Sequence, residues 1–463
     1  MSISERLERL PVTRTLWQVL FLTGVGWLFD AMDQGMVAGV MAAVGKEWQL
    51  LPSELGLLGS AGAVGMALGA ALAGMASDRW GRRAVVLATL VLYGIASGLT
   101  GFAGSFVVLL IFRFLTGLGL GGELPAASTL VSEFSPLKAR GRMVVLLESF
   151  WAWGWILASL IAYLVIPVYG WRVAFFLGAI PALYAAYLRR AVPESPLYLE
   201  KRGDTAQAER IVRQMEREAG LKAVAQYRSF AESTPPEFAE VEIPVVNRSR
   251  QLREIKRVTI SELWSPAYRQ RTLTLWILWF GINFGYYGFV LWIPTLMVGK
   301  GFVLIQSLRF TLLMSLAQLP GYYSAAYLIE SIGRKAVLVL YLGGTAVAAY
   351  FFGQSATTEE ILLFGSLLYF FSLGAWGGVY AYTPEMYPTE ARGSGAGWAA
   401  AIGRIGMIIA PYLVGLLYQS FGKGLGYTYV FSLLTGVFAV VALVVLVLGI
   451  ETKGKGLEEL TDN

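Results

Sequence analysis

Six ionisable side chains lie inside long apolar runs of this sequence: Asp30, Asp33, Arg113, Glu123, Glu148 and Arg404. A charge at the centre of a bilayer costs roughly 2.5–3.5 kcal/mol on insertion scales, so such residues usually face a cavity or one another and are functional by default. Asp30 and Asp33 are spaced i, i+3, which puts both carboxylates on one helix face. Two close, partly desolvated carboxylates suit reversible protonation; a purely structural ion pair is the alternative use, and Glu123 is a rival proton site. Arg404 carries a planar fork shaped for a carboxylate, either that of a bound solute or that of Glu148 or Glu123. Trp151, Tyr286, Tyr287, Trp376 and Tyr380 also fall within apolar runs, with Trp376 and Tyr380 at i, i+4 on one face. They could stack on a flat ring or act as the interfacial anchors for which membrane helices use Trp and Tyr.

Other chemistries are excluded by what the chain lacks. With no cysteine and no histidine, disulfides, thiol catalysis, zinc fingers and a Ser-His triad are ruled out. Any proton must therefore ride on carboxylates rather than imidazole. Gly117 to Gly122 fits G-x-G-x-x-G but lies inside an apolar run with no preceding strand, and Gly449 to Gly456 approaches a P-loop with glycine where Ser or Thr is required. Neither supports nucleotide binding, so no enzyme activity, cofactor or metal is expected.

The elements that must position these residues follow from composition. Of 463 residues, 56% are hydrophobic and 15% charged, against about a quarter charged in a soluble domain. Lipid must cover the apolar surface. About 20 apolar residues cross the ~30 Å hydrocarbon layer, and twelve such runs can be drawn: 16–44, 54–76, 84–104, 106–131, 143–167, 171–190, 272–298, 304–329, 336–353, 360–383, 395–420 and 426–449. The expectation is an all-α membrane protein of twelve transmembrane helices in two six-helix bundles, 1–190 and 269–450, joined by a charged linker, 191–268, and ending in a tail, 451–463. The first run is too long for a signal-peptide core and is read as a retained membrane helix. The net charge of +6 resides largely in short loops and the linker, which argues for cytoplasmic loops rather than a nucleic-acid partner. Both termini and the linker are expected in the cytoplasm, the chain in the cell inner membrane.

The halves repeat. Asp78, Gly81, Arg82 and Arg83 recur as Glu330, Gly333, Arg334 and Lys335, and Glu133, Pro136, Ala139, Arg140 and Gly141 recur as Glu385, Pro388, Ala391, Arg392 and Gly393. Both sets share one offset, 330 − 78 = 385 − 133 = 252, as expected of a duplicated six-helix unit. The loop Gly74 to Arg83 resembles that between helices 2 and 3 of the major facilitator superfamily. Pro193-Glu194-Ser195-Pro196 and Glu451-Thr452-Lys453-Gly454 resemble sugar-porter signatures. Leu28 to Asp33, Gly121 to Pro125, Leu147 to Trp151 and Tyr382 to Glu385 are similar to blocks of the bacterial niacin (nicotinate) transporters, and Tyr286-Tyr287-Gly288 is similar to a helix-7 motif of organic-ion transporters.

These resemblances imply roles. Asp78, Arg82, Glu133, Arg140, Glu330, Arg334, Glu385 and Arg392 would form a cytoplasmic gate, with Asp78 pairing across the two halves, although arginines there also satisfy the positive-inside rule. An acid at position 30 or 33 would couple to protons, paired with Arg113. Arg404 would line the substrate cavity. The implied function is import of nicotinate by alternating access as a monomer, with a proton as partner. An anion entering against an inside-negative potential loses ~2.3 kcal/mol per charge per 100 mV, about a fifty-fold exclusion, and one proton cancels it. The alternatives are a symporter of another small aromatic carboxylate or organic ion, or a ligand-binding member of the fold that does not transport.

Overall fold

The computed structural model describes residues 3–136, 139–220 and 259–453; within the expected linker and tail, 221–258 and 454–463 lie outside these. Eleven helices among the described residues are long and apolar enough to cross a membrane. In chain order the membrane segments are α1 (Arg14–Glu47), α2 (Pro52–Trp80), α3 (Arg82–Thr100), α4 (Phe106–Phe134), α5 (Arg140–Tyr169) and α6 (Trp171–Leu177 continued by Ile180–Ala191). The second half gives α7 (Arg269–Val290 continued by Ile293–Gly299), α8 (Leu304–Ser315 continued by Gln318–Ile332), α9 (Arg334–Gln354) and α10 (Thr358–Glu385). The last two, α11 (Ala391–Gly422) and α12 (Leu425–Leu448), meet at Gly422, whose φ of 73° breaks the helix between them.

The interruptions have one cause. Helices α6, α7 and α8 break just ahead of Pro181, Pro294 and Pro320. A proline ring has no N–H to donate and clashes with the carbonyl four residues back. Because α8 is split into pieces of 12 and 15 residues, it is the one expected span that is not among the eleven helices of spanning length.

Helix starts are fixed locally. Thr13 and Ser105 accept from the amides of Leu16 and Val108, and Thr357 and Glu360 form a capping box. The duplication is visible in the backbone: Gly81 and Gly333, 252 positions apart, both turn the chain at φ 99°, a region other residues rarely adopt. Each turn is capped in the same way, by a carboxylate on the following helix's amides. Glu194 accepts from Arg83 N at 3.2 Å, and Glu451 accepts from Arg334 N and Lys335 N at 3.0 and 3.2 Å.

The glycines of α2 serve two neighbours. Gly65 and Gly69 lie against the backbone of α4 at Phe114 and Leu118, while Gly56 and Gly59 lie against Pro411 in α11 of the other half. Small residues allow this backbone approach where lipid offers no hydrophobic drive between helices. On the linker side, the short helix Ile3–Arg9 packs on the linker helix Thr205–Glu218 through Ile3, Leu7, Ala208, Val212 and Met215. There Arg6 bridges Glu209 and Glu216 at 2.5 and 2.8 Å, and its guanidinium holds the Glu209 carboxyl below the usual carboxylate range.

Several contacts between halves gather at the end away from the linker. Ser60 donates to Ile408 O at 2.6 Å, Ser53 N donates to Gln419 Oε1 at 3.2 Å, and Gly415 abuts Pro52. Because the native chain has no cysteine, Ser53→Cys with Gln419→Cys gives a clean reporter. Oxidation should form an intramolecular disulfide seen as a mobility shift that dithiothreitol reverses; absence of cross-linking in the resting protein would contradict this closure.

Candidate functional site

A cavity of about 410 Å³ lies between the halves. Trp27, Met66, Glu148 and Trp151 line it from the first half; Trp279, Asn283, Tyr286, Tyr287, Tyr322, Trp376, Tyr380 and Arg404 line it from the second. All six residues expected to hold a ring or its carboxylate therefore meet at one place. Trp376 and Tyr380 stack one turn apart, with ring centroids at 5.7 Å and planes 30° apart; Trp279 and Tyr286 stand edge-on to Trp376 at 5.9 and 6.1 Å. On the facing wall Trp151 packs on Trp27 at 4.8 Å. Such faces accept a flat ring.

Arg404 comes from the middle of α11, beside Gly403 and Gly406, which bring that helix against Trp279 and Phe280 of α7. Its Nη1 donates to the carbonyl of Met66 at 2.6 Å, across the two halves. No described carboxylate pairs with it, so neither Glu148 nor Glu123 is its counter-ion. Carbonyl contact alone leaves most of the guanidinium's donors open to the cavity.

The two aspartates of α1 go to different partners. Asp33 is fully buried and accepts from Arg113 Nη2 at 2.8 Å and from the hydroxyl of Ser97; Arg113 also lies 5.3 Å from the Phe175 ring. Asp30 instead faces Glu123 of α4 and Tyr93 of α3. Neither carboxyl receives a well-aligned donor from a described residue. Ionised carboxylates only accept, so contact between these two requires a proton between them.

The expected gate residues lie at the linker end. Arg82 pairs with Glu133 at 3.1 Å and Arg334 with Glu385 at 3.1 Å, each within its own half; Glu330 meets Arg334 at 3.4 Å. Arg140 and Arg392 lie in the first turns of the following helices. The side chain of Asp78 lies outside the described residues. Sequence reasoning did not select Trp27, Trp279, Asn283 or Tyr322 for the cavity, nor Tyr93 and Ser97 for the carboxylates. Each was one more aromatic or small polar residue until neighbouring helices placed it.

Residues 32–463 match the family described as sugar (and other) transporter. The chain belongs to that family. As a member it is a multi-pass membrane transporter, not an enzyme. It is similar to the niacin transporter NiaP of Acinetobacter baylyi, 45% identical with 99% of this chain and 100% of that one covered. It is also similar to the putative niacin/nicotinamide transporter NiaP of Bacillus subtilis, 44% identical over 95% of this chain and 98% of that one. In fold the transporter resembles the xylose transporter XylE from E. coli in a partially occluded inward open conformation, with TM-score 0.70 and 19% identity, covering 95% of this chain and 99% of that one.

Removing one partner of a buried ion pair costs about 3–5 kcal/mol because the other is left charged and unpaired. In this transporter Arg113→Met should lower the thermal unfolding temperature in detergent sharply, and adding Asp33→Asn should restore much of the loss. Equal losses in the single and double variants would contradict the pairing.

Proposed function

We propose that this transporter imports nicotinate by alternating access, together with one proton. The observation that carries the reading is Arg404: a guanidinium in an aromatic-walled cavity, held by one carbonyl and without a described carboxylate partner. A monovalent aromatic anion supplies the missing charge, and its ring fits among Trp151, Tyr286, Tyr287, Trp376 and Tyr380. The names of the Acinetobacter and Bacillus relatives support the same substrate. A sugar would leave the guanidinium without a counter-charge, and a cation would be repelled by it.

The proton belongs to the Asp30–Glu123 pair. Asp33 is already neutralised by Arg113, whereas Asp30 and Glu123 need a proton to remain in contact. Tyr93 and Asp33 are the other titratable groups facing Asp30, and Tyr184 faces Glu123 while its hydroxyl donates to Leu22 O at 2.8 Å. Gly26 lies directly against Glu123, one residue from Trp27 in the cavity wall, so loss of the proton would push the two carboxylates apart beside the bound solute.

The surplus of Lys and Arg in the linker and the loops on its side supports an inner-membrane orientation with both termini cytoplasmic. The bundles 1–190 and 269–450 would then rock about the cavity while the linker 191–268 spans them. The helix contacts at Ser60, Ser53 and Gly415 would close the outer side. Asp78, Arg82, Glu133, Arg140, Glu330, Arg334, Glu385 and Arg392 would exchange pairs to close the inner side. One chain contains both halves, and it works as a monomer.

Radiolabelled nicotinate uptake into proteoliposomes tests this. An acidic exterior should accelerate uptake in the wild type, with little dependence on membrane potential because anion and proton enter as a neutral pair. Glu123→Gln should abolish the gradient stimulation while leaving nicotinate exchange. Uptake indifferent to both gradients would refute proton coupling, and no nicotinate uptake by folded protein would refute the substrate.

A further inference from the structure

The cavity contains a second ionisable group that the anchoring of a carboxylate leaves unused. Glu148 projects from α5 into the wall formed by the first half, 7% exposed, beside Trp151 and Ala152. No described residue hydrogen-bonds or ion-pairs its carboxyl. The phenol of Tyr322, within electrostatic reach of it, donates its hydrogen to Val145 O at 3.1 Å instead. Among the described residues the only cation lining the cavity is Arg404, and the two do not meet. Tyr380, which lines the same cavity, is in electrostatic reach of both. A buried acid and a buried base left apart within about 410 Å³ define a site for a ligand that bridges them, because an uncompensated buried polar group is costly.

We propose that Glu148 reads the ring nitrogen of the solute, so that the cavity selects a pyridine carboxylate over a benzene carboxylate. This rests on Arg404 anchoring the carboxylate, as argued above. With that end fixed, the ring lies along the Trp376–Tyr380 stack and its nitrogen is presented to Glu148. One proton joins the pair: it resides on the buried Glu148 carboxyl in the empty cavity, is shared with the ring nitrogen as acid donating to pyridine or pyridinium donating to carboxylate, and stays on Glu148 when the solute leaves, so it adds nothing to the one proton transported. A benzene ring offers only C–H at that point and strands the Glu148 carboxyl. Sites built to hydrogen-bond a polar group reject analogues that lack it far more strongly than apolar pockets reject a methylene. The cavity thereby discriminates at both ends: charge at Arg404, ring nitrogen at Glu148.

Equilibrium binding of radiolabelled nicotinate to the full-length detergent-solubilised protein, with benzoate as competitor, tests the assignment. In the wild type, benzoate should bind at least about tenfold more weakly than nicotinate, the scale of one unsatisfied buried polar group. Glu148→Met, similar in size but without a donor, should weaken nicotinate by about the same factor, leave benzoate nearly unchanged, and so collapse the ratio. Glu148→Gln, whose amide can donate to a ring nitrogen, should keep most of the discrimination. An unchanged ratio in Glu148→Met, or a wild type that does not distinguish the two acids, overturns the assignment while leaving nicotinate as a substrate. Loss of both ligands in Glu148→Met and Glu148→Gln, with each eluting as folded protein, makes the residue structural and overturns it as well. A wild type that binds neither acid overturns the anchoring of the carboxylate along with it.

Discussion

The organising constraint is that charge inside a membrane must find a partner within the protein, since hydrocarbon supplies none. The six ionisable residues in the spans meet that constraint in three ways. Asp33 and Arg113 neutralise each other, with Ser97 completing the aspartate's hydrogen bonds. Asp30 and Glu123 face each other as two buried acids, and in the proposed reading a shared proton holds them together. Arg404 and Glu148 are left facing the cavity, and their missing partners are the outline of a ligand. In the proposed reading, structure, coupling and recognition are three answers to one electrostatic problem.

The helix packing serves the same end. Gly65 and Gly69 let α2 settle onto α4, while Gly56 and Gly59 let the same helix meet α11 from the other half. One surface is thus committed to a bundle and the adjoining one to a seam between bundles, where Ser53 and Ser60 add polar contacts to the packing of Gly56 and Gly59 on Pro411. Arg404 sits at the inner margin of that seam, bonded to the Met66 carbonyl of α2. A ligand carboxylate competing for that guanidinium would therefore act directly on the contact between halves, which is how occupancy could bias the rocking of one half on the other.

Much of this was legible in the sequence. Apolar runs of about twenty residues fix the helices because hydrocarbon thickness fixes their length, and the 252-residue repeat survives as matching turns at Gly81 and Gly333. The breaks in α6, α7 and α8 were readable in principle from Pro181, Pro294 and Pro320, but long hydrophobic runs masked them. Arg404 and the five aromatic residues were selected from type and placement together with the resemblance to organic-ion transporters, and one cavity gathers them. Partner choice was not legible. Spacing i, i+3 put Asp30 and Asp33 on one face, yet one turn of helix is enough to aim one at Arg113 and the other at Glu123. Tyr93 and Ser97 entered only because α3 packs beside that face. Glu148 was recognised as a charge within the bilayer, but its relation to Arg404 depends on the distance between two half-molecules, which no local pattern encodes.

The central claim is that Arg404 awaits the carboxylate of its solute, and equilibrium binding of nicotinate and its neutral amide, nicotinamide, tests it most directly. Charge-assisted hydrogen bonds are worth about 1.5–3 kcal/mol, so the wild-type protein should prefer nicotinate by at least about tenfold. Arg404→Gln should erase that preference by weakening nicotinate while leaving nicotinamide close to its wild-type affinity. Wild-type nicotinate affinity retained in folded Arg404→Gln would contradict the account.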